Sequence, residues 1–165
     1  RPMKKIFLSL FVISLLGCEK DDICSDETTP RLIIEFFNIA QPANNLNVTN
    51  LKVTGVGMTD ELDTFTAVSK IELPLKITDD VTRYSLTLNS TNDLIKNEDI
   101  LEFNYTRNQV FVSRACGYKT VYQLNADNGI VHTDNDTPEL KWIKNIFIEN
   151  NSISTENETH IKIYF

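Results

Sequence analysis

The chain has 165 residues, 41% hydrophobic and 24% charged, with a formal charge of -7. That is one domain's worth of sequence with apolar material enough for a core, which excludes global disorder. The first 17 residues carry Arg1, Lys4 and Lys5 and no acid, so the remainder holds 13 basic against 23 acidic residues, near -10; this argues against nucleic acid, and against docking on anionic lipid by charge, because both need a basic face.

Met3, read as the start, is followed by Lys4-Lys5 and then by an apolar run from Ile6 to Leu16. Positive charge before a short apolar run is the secretory pattern, and the run is too short to span a bilayer. It ends in Leu15-Leu16-Gly17-Cys18, which resembles a bacterial lipobox. The resemblance implies cleavage after Gly17, lipid on the Cys18 thiol and acylation of the new amino terminus. A multiply acylated cysteine anchors firmly where a single chain would not. The other reading is an ordinary signal peptide that ends near a cysteine. Glu19-Lys20-Asp21-Asp22 follows. Lys20, Asp21 and Asp22 are similar to the export signal of Bacteroidota surface lipoproteins, which would place the protein on the outer membrane facing outward. A solvated acidic linker on a protein facing the periplasm is the alternative.

Residues 1–17 are therefore read as leader, 18–30 as lipidated cysteine and acidic linker, and 31–165 as one folded domain without internal repeats. Cys24 and Cys116 remain as an even pair in an oxidising compartment, which favours a disulfide; two buried thiols or an intermolecular bridge are the alternatives. Neither has the neighbours of a zinc site. Six residue steps separate Cys18 from Cys24, about 20 Å when extended. A bridge at Cys24 would hold the domain close to the membrane.

From Arg31 the apolar period is mostly two. Leu32 to Phe37 is apolar on both faces, as in a central strand. Leu51 and Val53 alternate with polar residues, and so do Ile71, Leu73 and Leu75, where Pro74 suggests a sheet edge. Tyr84, Leu86 and Leu88 form another alternating set. Leu101, Phe103 and Tyr105 lead to Arg107-Asn108, read as a hairpin turn before Val110-Phe111-Val112. Thr120 to Leu124, then Ile146 and Ile148, then Ile161, Ile163 and Phe165 complete the strands, with Asn150-Asn151 as a turn. Turn residues fill the breaks at Asp79-Asp80, at Asn89 to Asp93 and at Asp127-Asn128-Gly129. Asp93 to Asp99 suggests one short turn of helix. The pattern predicts an all-β fold, an antiparallel β-sandwich of immunoglobulin-like architecture with about seven to nine strands. The Cys–Trp–Cys order of true immunoglobulin domains is absent, because Trp142 follows both cysteines.

Chemistry-bearing candidates are sparse. Asp127-Asn128 and Asp134-Asn135-Asp136 offer oxygen ligands for calcium but lack the full loop pattern and its distal bidentate Glu, so an acidic loop between strands is the plainer reading. His132 and His160 are the two histidines, and neither sits in a nucleophile motif. Tyr84, Tyr105, Tyr118, Tyr122 and Trp142 could form a sugar-stacking platform, although their alternation favours core packing. Carboxylates are plentiful, but a two-carboxylate hydrolase needs a cleft at set separation. Asn-x-Ser/Thr triplets such as Asn47 to Thr49 and Asn104 to Thr106 reflect Asn and Thr richness. No cofactor motif and no catalytic constellation is found.

Three blocks carry a wider resemblance. They are Cys18 to Cys24 running into Thr28-Thr29-Pro30-Arg31-Leu32-Ile33-Ile34-Glu35-Phe36, then Ala115-Cys116-Gly117-Tyr118-Lys119, and the closing His160-Ile161-Lys162-Ile163-Tyr164-Phe165. Together they are similar to a family of small uncharacterised Bacteroidota lipoproteins, a domain of unknown function. That resemblance implies one domain with Cys24 and Cys116 as a family pair, and it implies no activity. The expectation is a non-enzymatic envelope lipoprotein whose domain binds or scaffolds another envelope protein. The alternatives are a carbohydrate-binding accessory module of a glycan uptake system and, behind it, a carboxylate-dependent hydrolase.

Overall fold

The computed structural model describes residues 23–25, 28–58, 61–134 and 140–165. The leader, Cys18, Lys20, Asp21 and Asp22 lie outside the described residues, as do Asn135 and Asp136. Among the described residues the chain forms β1 (Leu32–Asn38), β2 (Gln41–Asn45), β3 (Leu51–Gly55), β4 (Glu61–Phe65), β5 (Lys70–Leu73) and β6 (Val81–Leu88). It continues with β7 (Asn97–Ser113), β8 (Gly117–Leu124), β9 (Ile130–Asp134), β10 (Asn145–Ile148), β11 (Ser152–Ile153) and β12 (Ile161–Tyr164).

Two sheets pack together as an all-β sandwich. One has the order β10-β12-β1-β2, with β5 also pairing β1. The other has the order β11-β8-β7-β6-β3-β4, with β9 also pairing β7. Pairing is antiparallel except between β1 and β12, which run parallel with Ile34 opposite Ile161 and Phe36 opposite Ile163. β1 is the central strand its composition implies: Leu32, Ile33, Ile34 and Phe36 are all fully buried. β5 pairs only β1 and lies at an edge, where Pro74, with no amide hydrogen to offer, costs no ladder bond.

The period-two residues meet between the sheets. Leu32, Ile34 and Phe36 of β1 join Leu51 and Val53 of β3, Tyr84 and Leu86 of β6, Leu101, Phe103 and Tyr105 of β7, and Ile161 and Ile163 of β12 in one core. Trp142 enters from the connection between the sheets. Its ring lies edge-on to Phe165 at 5.3 Å and tilted against Phe36 at 6.4 Å, and its Nε1 donates to the Leu86 carbonyl at 3.0 Å.

The structure departs from the sequence reading in four places. Among the described residues twelve strands form where seven to nine are expected, because β2 and β4 are largely exposed, β11 has only two residues, and β9 lies in a stretch read as an acidic loop. Arg107-Asn108 is not a turn: β7 runs on through it as a 17-residue strand, with Arg107 opposite Tyr122 and Asn108 opposite Val121. A two-residue hairpin needs residues tolerant of positive φ, and Arg-Asn lacks the glycine. The reversal comes instead at Arg114 to Cys116 and ends on Gly117, whose φ of 69° is left-handed and strained for a side-chain-bearing residue. Asp93 to Asp99 is not helical. The Ile95 and Lys96 amides donate to the Asn92 carbonyl in a single turn, at 3.1 and 2.9 Å, and β7 begins at Asn97. Finally, the acidic stretch from Asp127 to Asp134 is not one loop, because β9 lies within it.

Candidate functional site

β7 is longer than the sandwich it belongs to. Its first half pairs β6 on one edge and β9 on the other; its second half, from Tyr105, pairs β8. β8 and β9 follow one another along the same edge of β7. Opposite Asn104 the return strand bulges, and Asn104 fills the gap, its amide donating to the Gly129 carbonyl at 2.9 Å and its Nδ2 to the Asn128 carbonyl at 3.0 Å. Beyond Tyr105 the strand pair leaves the core as a ribbon. Thr106 to Phe111 are all exposed.

The base of the ribbon is fixed from both sides. Arg107 Nε donates to Asp80 Oδ1 at 2.6 Å, and that hydrogen bond raises the Arg107 pKa. Lys119 Nζ donates to the Ser154 carbonyl at 3.2 Å. Inside the base, Tyr105 and Tyr122 meet edge-on at 5.1 Å. Thr82 Oγ1 lies 2.6 Å from the Tyr105 hydroxyl, and the Tyr122 hydroxyl donates to the Leu75 carbonyl at 3.1 Å. Burial pushes Tyr122 and Tyr84 each up to about 12, helped by the charge of neighbouring tyrosinate.

The amino-terminal segment runs along this ribbon. Arg31 grips Glu156 through Nε at 2.8 Å and Nη2 at 3.0 Å, which holds the Glu156 carboxyl below its usual range. Pro30 is buried. Thr29 Oγ1 accepts the Thr120 amide hydrogen at 3.0 Å. Cys24 and Cys116 are joined in a disulfide, with Cα atoms 4.9 Å apart and a sequence separation of 92. Cys116 sits in the turn that ends the ribbon, so Cys24 is bonded to the fold at the ribbon tip. Phe111 and Tyr118 face each other there, with ring centroids 5.4 Å apart, and they are 56% and 68% exposed.

The remaining candidates go elsewhere. Tyr84, Tyr105, Tyr122 and Trp142 are core residues, each no more than 6% exposed. Tyr118 alone of the five is open to solvent, so the sugar-stacking platform does not assemble. His160 is fully buried. Its Nδ1 accepts the Ile33 amide hydrogen at 2.9 Å, and its backbone amide donates to the Ile33 carbonyl at 3.1 Å, docking the start of β12 on β1. Its Nε2 is sealed without a partner of good geometry, the Thr155 carbonyl giving only a weak favourable contact. Desolvation lowers its pKa.

His132 Nε2 lies 2.8 Å from Oδ2 of the fully buried Asp99. A histidine oriented by a carboxylate is two-thirds of a nucleophilic triad. The other acceptor capacity of Asp99, however, is taken by backbone: the Ile143 amide donates to Oδ2 at 2.9 Å and the Trp142 amide to Oδ1 at 3.3 Å. No hydroxyl or thiol joins the His132 ring among the described residues. This carboxylate staples the crossing segment to β7. Sequence reading missed it by placing Asp99 in a helical turn, although it shares its parity with Leu101, Phe103 and Tyr105.

Two open depressions hold carboxylates other than Asp80, which lies in a third at the ribbon base beside Arg107. One, of about 620 Å³ on the outer face of β3, β6 and β7, contains a single acid, Glu98, hydrogen-bonded by the Ser85 hydroxyl. The other gathers Glu35, Glu149 and Glu158 around Lys162, whose Nζ is 3.0 Å from Glu149. That ammonium sits among the acids, and the depression is shallow. Neither is the enclosed cleft with paired carboxylates that hydrolysis needs. Asp127 and Asp134 lie at opposite ends of β9 and do not converge, and no cluster of three or more metal-ligating side chains forms among the described residues.

The family of unknown function DUF6452 matches residues 50–165, more than two-thirds of the chain. The chain belongs to that family. The DUF6452 match takes in β3 to β12 with the ribbon and Cys116, and it begins after Cys24. No curated protein and no solved structure matches the chain. No helix among the described residues is long and apolar enough to cross a membrane.

Proposed function

We propose that this DUF6452 chain is a Bacteroidota envelope lipoprotein held in the outer membrane by acyl chains on Cys18. Lys20, Asp21 and Asp22 direct it to the outer face. Its sandwich is a non-enzymatic domain that binds or scaffolds another envelope protein close to the bilayer. One observation carries this reading: the segment bearing Cys18 is bonded to the fold at the far end of a ribbon, through Cys24 and Cys116. That geometry suits a tether. A disulfide suits an exported protein, since the cytosol keeps thiols reduced. The glycan-module alternative loses its main support with the burial of Tyr84, Tyr105, Tyr122 and Trp142.

The test joins two measurements on the expressed protein. Mass spectrometry of the amino-terminal peptide shows Cys18 acylated and residues 1–17 absent. Protease added to intact cells digests the wild type but spares a variant with Lys20, Asp21 and Asp22 changed to alanine. An unmodified Cys18 overturns the anchor. Wild type cleaved only after lysis overturns the outward address and puts the domain in the periplasm.

A further inference from the structure

Strand alternation sends Tyr105, Arg107, Gln109 and Phe111 of β7 to one face of the ribbon, opposite Leu124, Tyr122, Thr120 and Tyr118 of β8. The same parity that buries Tyr105 and Leu124 in the core places Phe111 and Tyr118 beyond it, where no second sheet covers them. Val110 on the reverse face is 38% exposed, and Ile23, next to the disulfide, is 88% exposed. Apolar side chains from three chain segments are thus presented at one end of the molecule, around Cys24–Cys116. Exposed Leu94 and Ile95 lie at the other end of β7, some 14 residue steps or more away, about 45 Å along an extended strand. The two ends differ in one respect: Cys24, six residue steps from Cys18 in the sequence, is bonded at the ribbon tip.

We propose that the ribbon tip is a foot that seats in the lipid bilayer, with Phe111 and Tyr118 entering the boundary between headgroups and acyl chains. This inference rests on lipidation at Cys18. Five residue steps join Cys18 to Ile23, at most about 17 Å, so an anchored chain cannot hold the tip far from the surface. A phenylalanine beside an amphipathic tyrosine matches that boundary, where an apolar ring is buried and a hydroxyl stays wet. The tether makes the contact intramolecular, so weak insertion is enough to populate it. Because the processed chain is strongly acidic, the contact is apolar rather than a basic patch on anionic lipid, and Arg114 in the tip turn is left to reach phosphate oxygens. The foot fixes which way the sandwich points: β7 stands away from the membrane and presents the β6–β7 turn outward.

The test uses the processed, lipidated protein in phosphatidylcholine vesicles whose acyl chains carry bromine near the headgroup. Trp142 stays as a constant core background, and a second tryptophan is introduced by Phe111→Trp or, in a separate variant, by Leu94→Trp. Both replaced side chains are exposed, so each variant keeps its core. The Phe111→Trp emission shifts to the blue and is quenched at least about twofold, as for a ring about 5–10 Å inside the interface, while Leu94→Trp is unaffected. Acylated, vesicle-bound protein with equal emission at both positions overturns the foot and leaves the anchor standing. Protein without acyl mass on Cys18 removes the anchor and the foot together. A blue shift at Phe111→Trp that requires added envelope proteins, and is absent in lipid alone, makes the tip a protein interface and overturns the lipid assignment.

Discussion

Replacing Asp99 by alanine should be the most damaging single change outside the hydrophobic core. The carboxylate is fully buried and serves three donors: the Ile143 amide at 2.9 Å, the Trp142 amide at 3.3 Å and His132 Nε2 at 2.8 Å. Alanine leaves both backbone N–H groups buried without partners, because Trp142 and Ile143 are only 6% and 2% exposed. Each buried, unsatisfied donor costs about 1–3 kcal/mol. His132 is partly exposed and finds water, so it adds little. The expected loss is about 3–5 kcal/mol, a large share of the roughly 5–15 kcal/mol that holds a domain together. Asp99→Asn keeps one acceptor but turns an NH₂ toward the remaining donors, and should lose about 2 kcal/mol. Urea unfolding followed by fluorescence is a direct assay, since Trp142 is the one tryptophan in the chain and lies on the segment that Asp99 holds. A loss below about 1 kcal/mol for Asp99→Ala, or a milder effect for alanine than for asparagine, would refute the account of Asp99 as a staple for that segment.

Reduction of Cys24–Cys116, or serine at both positions, opens a loop with a sequence separation of 92. The chain-entropy argument gives a destabilisation of about 4.6 kcal/mol, read as a lower urea midpoint with dithiothreitol than without; an unchanged midpoint would remove the disulfide from the stability account. At alkaline pH, the phenols of Tyr84 and Tyr122 titrate near 12 in the folded chain against 10.0 when free. A folded pKa above the unfolded one stabilises fully below pH 10 and is lost as pH rises toward 12, because the unfolded chain deprotonates first. Stability should therefore fall across pH 10–12, less steeply in Tyr84→Phe, and equal slopes would contradict the burial of that phenol.

The legible part of the fold is the part that alternates. β3, β6, β8 and β12 are readable because one face of each must be apolar to meet the opposite sheet, and Leu51, Val53, Leu86, Ile161 and Ile163 obey that rule; β1 is readable for the different reason that both its faces are buried. Two of the illegible strands are almost entirely exposed on both faces. All five residues of β2 are exposed, and Pro42 within it marks an edge that backbone pairing alone defines. β4 pairs only β3, and four of its five residues are exposed. Strand pairing is a backbone property, and where both faces are wet the side chains carry no trace of it.

Arg107-Asn108 shows the same limit in the feature that matters most. Polar residues between two apolar runs read as a turn when every strand is assumed to end with the core. Here β7 outlasts the core, and the polar stretch Thr106 to Gln109 is the exposed shaft of a ribbon. The better signal was Cys116-Gly117: a glycine able to adopt positive φ, next to a cysteine that must reach Cys24, is where a long hairpin can reverse. Extending strand parity through the shaft then puts Phe111 on the face of Tyr105, and Tyr118 on that of Tyr122. Phe111 and Tyr118 are two aromatic residues on a core-type face that nothing among the described residues covers, the kind of exposed apolar surface that marks a contact site. The disulfide places Cys24 at the same end of the ribbon as that pair. One end of the described structure therefore holds both the uncovered aromatic face and the disulfide at Cys24, and under the proposed lipid anchor at Cys18 the membrane itself is the partner for that face.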